Sequence, residues 1–131
     1  MIGFYTEEKT TQAMIDEFYE KLSEEGKSRL SPTLQNLTES DFTLMGYVIY
    51  WINEDKFLTL NKDPSIYEFH PIQEWARRFK ELNHATSIAS LLAGNEGDEL
   101  QVCKYISNNE LSLFSTVWST RPFNDVTGDI T

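Results

Sequence analysis

The feature that most limits the fold is the run FTLMGYVIYWI, residues 42 to 52, in which only Thr43 and Gly46 lack a large apolar or aromatic side chain. A run of this kind needs cover on more than one side, because each large apolar side chain left in water forfeits about 1.5–3 kcal/mol. A membrane span takes about 20 mostly apolar residues. Here Asn53, Glu54, Asp55 and Lys56 close the run too early. It is therefore a core element, with a subunit contact as the second reading. TESD at 38 to 41 has the form of a capping box, with Thr38 as N-cap and Asp41 three residues later, which favours a helix through the run. On that helix Leu44, Met45, Val48, Trp51 and Ile52 share a face, and Tyr47, Ile49 and Tyr50 need cover elsewhere. A strand buried on both faces is the alternative, given the β-branched and aromatic content.

A chain of 131 residues, 40% hydrophobic and 24% charged, fits one globular domain over 1–131 with a polar tail from about 120. Cys103 is the only cysteine, which excludes an intrachain disulfide and a zinc site built on several thiolates. A reducing, cytoplasmic setting is expected, and the first residues lack the pattern of a secretory signal. The net charge is −10, from 11 Lys and Arg against 21 Asp and Glu. That sign opposes direct binding to nucleic acid or to an anionic membrane, and it makes a basic protein surface an attractive partner.

Along the chain, a short strand is expected at 2 to 5. A helix follows with Met14, Ile15, Phe18, Tyr19 and Leu22 at helical spacing and acidic residues on its other face, closed by Gly26. KFLTLN at 56 to 61 alternates like a strand. HPIQEWARRFKELN places Pro71 at a helix start and Ile72, Trp75, Ala76, Phe79 and Leu82 on one stripe, which predicts a helix over 70–83. A short helix is expected within 87–97, and a β-hairpin over 99–118. The fold class is α+β, about four helices on a short antiparallel sheet. An all-α fold is the alternative, because Leu111, Phe114, Val117 and Trp118 also fit a helical face.

The chemistry-bearing residues form no catalytic motif. His70 and His84 are not at a ligand spacing, Cys103 has no base placed near it, and neither GxxxxGK[ST] nor GxGxxG occurs. No catalytic, cofactor-binding or metal-ligating residue is assigned. The stretch FYEKLSEEGKSRLSPTLQNLTESDF, residues 18 to 42, resembles the early helix-and-loop region of some GNAT acetyltransferases and covers about a fifth of the chain. The acetyl-CoA pyrophosphate loop of that family has no counterpart, so the resemblance brings no activity with it.

Binding therefore accounts for more of the sequence than catalysis does. The expected function is neutralisation of a basic protein partner by an immunity or antitoxin protein, the partner being a nuclease toxin. The candidate partner-binding residues are Glu54, Asp55, Glu96, Asp98 and Glu99. One alternative is a small-ligand module or acyltransferase-like enzyme with Arg77 or Arg78 recognising an anion. The other is an oligomeric structural domain. The protomer is expected to be a monomer or homodimer.

Overall fold

The computed structural model describes residues 3–63, 65–93 and 99–121. Six strands, β1 (Phe4–Tyr5), β2 (Thr43–Trp51), β3 (Lys56–Leu58), β4 (Phe69–His70), β5 (Leu100–Ser107) and β6 (Ser112–Ser119), make one sheet in the order β1-β6-β5-β2-β3-β4. Every pairing is antiparallel. Three helices accompany it among the described residues: α1 (Thr11–Lys21), α2 (Glu24–Ser28) and α3 (Leu82–Ala93). The α+β class stands. The sheet is larger and the helices are fewer than expected, and the all-α alternative is excluded. No helix among the described residues is long and apolar enough to cross a membrane.

The run at 42 to 52 is a strand, not a helix. Thr38 and Asp41 do form the capping box, with the Thr38 amide donating to Asp41 Oδ2 at 2.7 Å, but it closes a single 3-10 turn at Glu39–Asp41 before the chain extends at Phe42. From there alternate residues enter two clusters. Tyr47 and Ile49 pack with Ala85, Ala89 and Ala93 of α3 and with Leu100, Val102 and Trp118. Val48 packs with Ala76, Cys103 and Tyr105, joined by Met45, Tyr50, Phe57 and Phe114. A period of two buries both halves of the run, which a helix of these residues could do only with cover all round. The alanines at four-residue spacing let α3 lie close on β2 and β5.

The second face is held by aromatic contacts. Tyr105 and Phe114 stack at 4.6 Å between centroids, Phe57 lies 5.6 Å from Phe114, and Tyr50 lies 5.3 Å from Phe57. Phe57 on β3 and Phe114 on β6 meet although β2 and β5 lie between their strands in the sheet order.

The second correction concerns 70–83, where the apolar stripe does not produce a helix. Only a 3-10 turn forms at Gln73–Trp75, and Ala76 is extended (φ −60°, ψ 131°). β3 pairs with β2 only at Tyr50 and Trp51. The backbone of Tyr47 thus needs other partners, since buried amides and carbonyls are almost always paired. Phe79 supplies them through two bonds of 2.8 Å, from Tyr47 N to Phe79 O and from Phe79 N to Tyr47 O, while Arg77 N donates to Leu58 O at 2.8 Å. The extended segment sends Ala76 and Phe79 into the two clusters and leaves Trp75 exposed.

Gly46 makes this junction possible. Its φ is +122°, and a bulge shifts the β2–β5 register between Leu44 and Gly46. A Cβ placed on it would lie 2.5 Å from the carbonyl oxygen of Phe79.

A third, smaller correction falls at the end of the first helix. α1 stops at Lys21, with Leu22 extended (ψ 138°), and Gly26 lies inside α2 instead of terminating α1. Ser23 is the cause: its hydroxyl accepts from Gly26 N at 3.0 Å and starts a new helix. The strands at Phe4–Tyr5 and Lys56–Leu58 and the β5–β6 hairpin follow the sequence pattern.

Candidate partner-binding surface

The fold brings Glu54, Asp55 and Glu99, three of the carboxylates expected from sequence, to one end of β2 and β5. Ile52 N donates to Glu99 O at 2.8 Å, and Glu99 N donates to Asn53 Oδ1 at 2.8 Å. The β2–β3 turn with Glu54 and Asp55 therefore sits beside Glu99, while Glu96 and Asp98 lie outside the described residues. Much of this charge is already engaged. The Tyr50 hydroxyl donates to Asp55, and Arg121 forms an ion pair with Glu99. Glu54 is exposed.

A larger acidic surface lies at the other side of the sheet, along the approach to α1 and on its outer face. Thr10 caps the helix, its hydroxyl accepting from Ala13 N at 3.1 Å. Burial of Met14 and Ile15 then fixes which way α1 faces, leaving Asp16 and Glu20 in water. The preceding residues are tied to the sheet at three points. Thr6 N donates to Val117 O at 3.1 Å, the Tyr47 hydroxyl to Glu8 Oε1 at 2.9 Å, and the buried Lys104 Nζ to Lys9 O at 2.8 Å. Lys21 and Lys9 both pair with Glu17, and these bonds hold its carboxyl below the usual range. Glu7, Glu8, Asp16 and Glu20 form no ion pair among the described residues. Five of the ten residues that line the groove here are carboxylates, against the two lysines. The acidic outer face of the first helix was visible in the sequence, but the docking of Glu7 and Glu8 beside it depends on Tyr47 and Lys104, which are far away in the chain.

The charge is polarised along the sheet. Between Glu7 and Lys21 five carboxylates face two lysines, whereas Glu24 and Glu25 beyond them on α2 pair with Lys27 and Arg29. Between Lys56 and Lys80 five cations face three carboxylates. α1 packs on β6, whereas the cationic segment follows β3 and flanks β4 at the other edge.

The residues with reactive chemistry are held apart. The His70 ring meets Trp75 edge-on at 5.4 Å, and the His84 ring meets Phe79 at 4.9 Å. Among the described residues no group of three or more His, Cys, Asp or Glu is placed to hold a metal ion. Arg77 lies over the Phe79 ring at 4.9 Å and Arg78 is 6.0 Å from the Tyr105 ring, so the Arg77–Glu81 pair that a helix would bring together does not form.

Three protonated groups link the site and core to alkaline pH. Burial, and then donation to Glu8, pushes the Tyr47 hydroxyl up to about 12, and burial with donation to Asp55 does the same for Tyr50. Burial pushes the Cys103 thiol up to about 12. Each is neutral when protonated, and the unfolded chain releases these protons earlier, at about 8.5 for Cys and about 10 for Tyr. Their stabilisation is complete below about pH 8.5 and is lost as the pH rises toward about 12. The urea midpoint should be level up to about pH 8 and fall steadily from about pH 9 to 11. Tyr47→Phe should remove part of that slope, and a midpoint unchanged to about pH 11 would contradict the assignment.

Comparison with protein-family models, with curated proteins and with solved structures finds no significant match. The resemblance of residues 18 to 42 to acetyltransferases rests on those residues alone.

Proposed function

We propose that this protein binds and neutralises a basic protein partner in the manner of an immunity or antitoxin protein, with the acidic surface of Glu7–Lys21 as its principal docking face. The observation that supports this is the excess of five carboxylates over two lysines between Glu7 and Lys21, a segment that Lys104, Tyr47 and the α1 cap hold against the sheet. A rigid array of carboxylates speeds encounter with a cationic surface and rejects anionic ones. A nuclease fits such an array because its own substrate cleft must be cationic to hold phosphates. The corner with Glu54, Asp55 and Glu99 is a secondary contact, since Tyr50 and Arg121 already engage part of its charge.

The test is an affinity capture from the native host with tagged protein at low and high salt. A basic protein that elutes with salt is the expected result; recovery of no macromolecule contradicts the reading. The triple variant Glu7→Gln, Asp16→Asn, Glu20→Gln spares Glu8 and Glu17, which make structural contacts. It should weaken the captured complex about tenfold, at roughly 0.5 kcal/mol per lost pair. Neutralising Glu54 and Asp55 should weaken it by no more than about threefold. The reverse ranking would move the docking face to the β2–β3 turn.

A further inference from the structure

At the edge of the sheet away from α1 the surface changes both sign and polarity. Of the eight exposed large hydrophobic residues among those described, four fall between 60 and 75: Leu60 at 76% exposure, Trp75 at 53%, Ile66 at 45% and Ile72 at 39%. Leu60 and Trp75 are neighbours in space, because Leu60 N donates to Trp75 O at 3.3 Å. They line a shallow groove whose other walls are Glu74, Ala76, Arg77 and Arg78. The extended backbone over 76–79 creates this arrangement. A helix would have turned Trp75 inward with Phe79.

Two features specify what such a groove takes. The first is apolar: a Trp left in water beside arginines has the composition that dominates binding energy at protein interfaces, and the exposed Leu60 extends its apolar surface. The second is electrostatic. Neither Arg77 nor Arg78 forms an ion pair among the described residues, although the chain carries 21 carboxylates. Arg77 is held over the buried Phe79 ring and Arg78 approaches Tyr105, so both guanidinium groups are positioned by aromatic contacts. Two guanidinium groups against the one carboxylate of Glu74 make the groove favour an acidic partner over a basic one, the opposite of the α1 face.

We propose that the Leu60–Trp75 groove, flanked by Arg77 and Arg78, docks a short peptide segment that carries a large apolar side chain between carboxylates. The apolar side chain covers Trp75 and Leu60, and the carboxylates pair with the two guanidinium groups. This surface is separate from the α1 face, and its failure would leave the neutralisation reading untouched.

The probe is a synthetic nonapeptide with a central Leu and Trp flanked by glutamates, blocked at both ends, compared with the same peptide carrying lysines in place of the glutamates. It is titrated into isotope-labelled full-length protein while the Trp75 indole and the Arg77 and Arg78 Nε resonances are followed. The glutamate peptide should shift these three signals to saturation below about 1 mM, and the lysine peptide should not. Trp75→Ala and, independently, Leu60→Ser should each weaken binding about tenfold while keeping the wild-type unfolding transition. Arg77→Gln with Arg78→Gln should abolish the salt dependence. Equal shifts with the lysine peptide, or no saturable shift with the glutamate peptide, would overturn the proposal. So would concentration-dependent shifts of the protein alone at Trp75, which would assign the groove to a second copy of the chain.

Discussion

Gly46→Val is expected to remove about 3–5 kcal/mol of stability, a large part of the 5–15 kcal/mol typical of a domain. Two costs combine. A side chain at φ +122° is strained, which by itself is worth about 1–3 kcal/mol. Its Cβ would also meet a backbone atom, Phe79 O at 2.5 Å, which cannot rotate away. Relief requires moving Phe79, and with it the paired bonds to Tyr47. Gly46→Ala should show most of the same loss, because the first added carbon is the one that collides. Urea unfolding of both variants checks this, and a loss under about 1 kcal/mol would mean that the 76–79 segment does not lie on β2 as described.

Phe79→Ala should cost about 3–5 kcal/mol, the usual range for truncating a buried Phe. Trp75→Ala should change stability by no more than about 0.5 kcal/mol. The contrast is informative because the two residues are four apart and would be equivalent core positions on a helix over 70–83. In the extended arrangement Phe79 is 3% exposed and Trp75 is 53% exposed. Equal losses, measured by chemical denaturation, would restore the helix and remove the groove beside Trp75.

These two residues also show where the sequence stops being informative. The β5–β6 hairpin was legible because its strands alternate, with Val102, Lys104 and Ile106 on one side and Cys103 and Tyr105 on the other, and because a polar loop separates them. The stripe Ile72, Trp75, Ala76, Phe79, Leu82 misled because periodicity is a local signal, while the free edge of β2 that captured Phe79 is made by residues about thirty positions earlier. The capping box at Thr38 and Asp41 was real, yet it fixed only one turn. Gly46 was the neglected clue within the run, since a positive φ ends a helix and makes a bulge in a strand.

The candidate surface was legible in the same partial way. The acidic residues of α1 could be placed on one face from their spacing, but nothing local says that Lys104 on β5 would reach the carbonyl of Lys9, or that Tyr47 would reach Glu8. Those two contacts turn a charged helix and its leader into one surface. Conversely, Glu54 and Glu99 were singled out from adjacent acidic text. The fold does bring them together, and it also supplies Arg121 to pair with Glu99.

The most direct measurement is amide hydrogen exchange of the full chain alone and bound to the basic protein it captures. The account predicts added protection from Thr6 to Lys21, with little change at the β2–β3 turn or over 60–80. Protection confined to the turn and Glu99, or to the Trp75 side of the sheet, would contradict the claim that the α1 face is the docking surface.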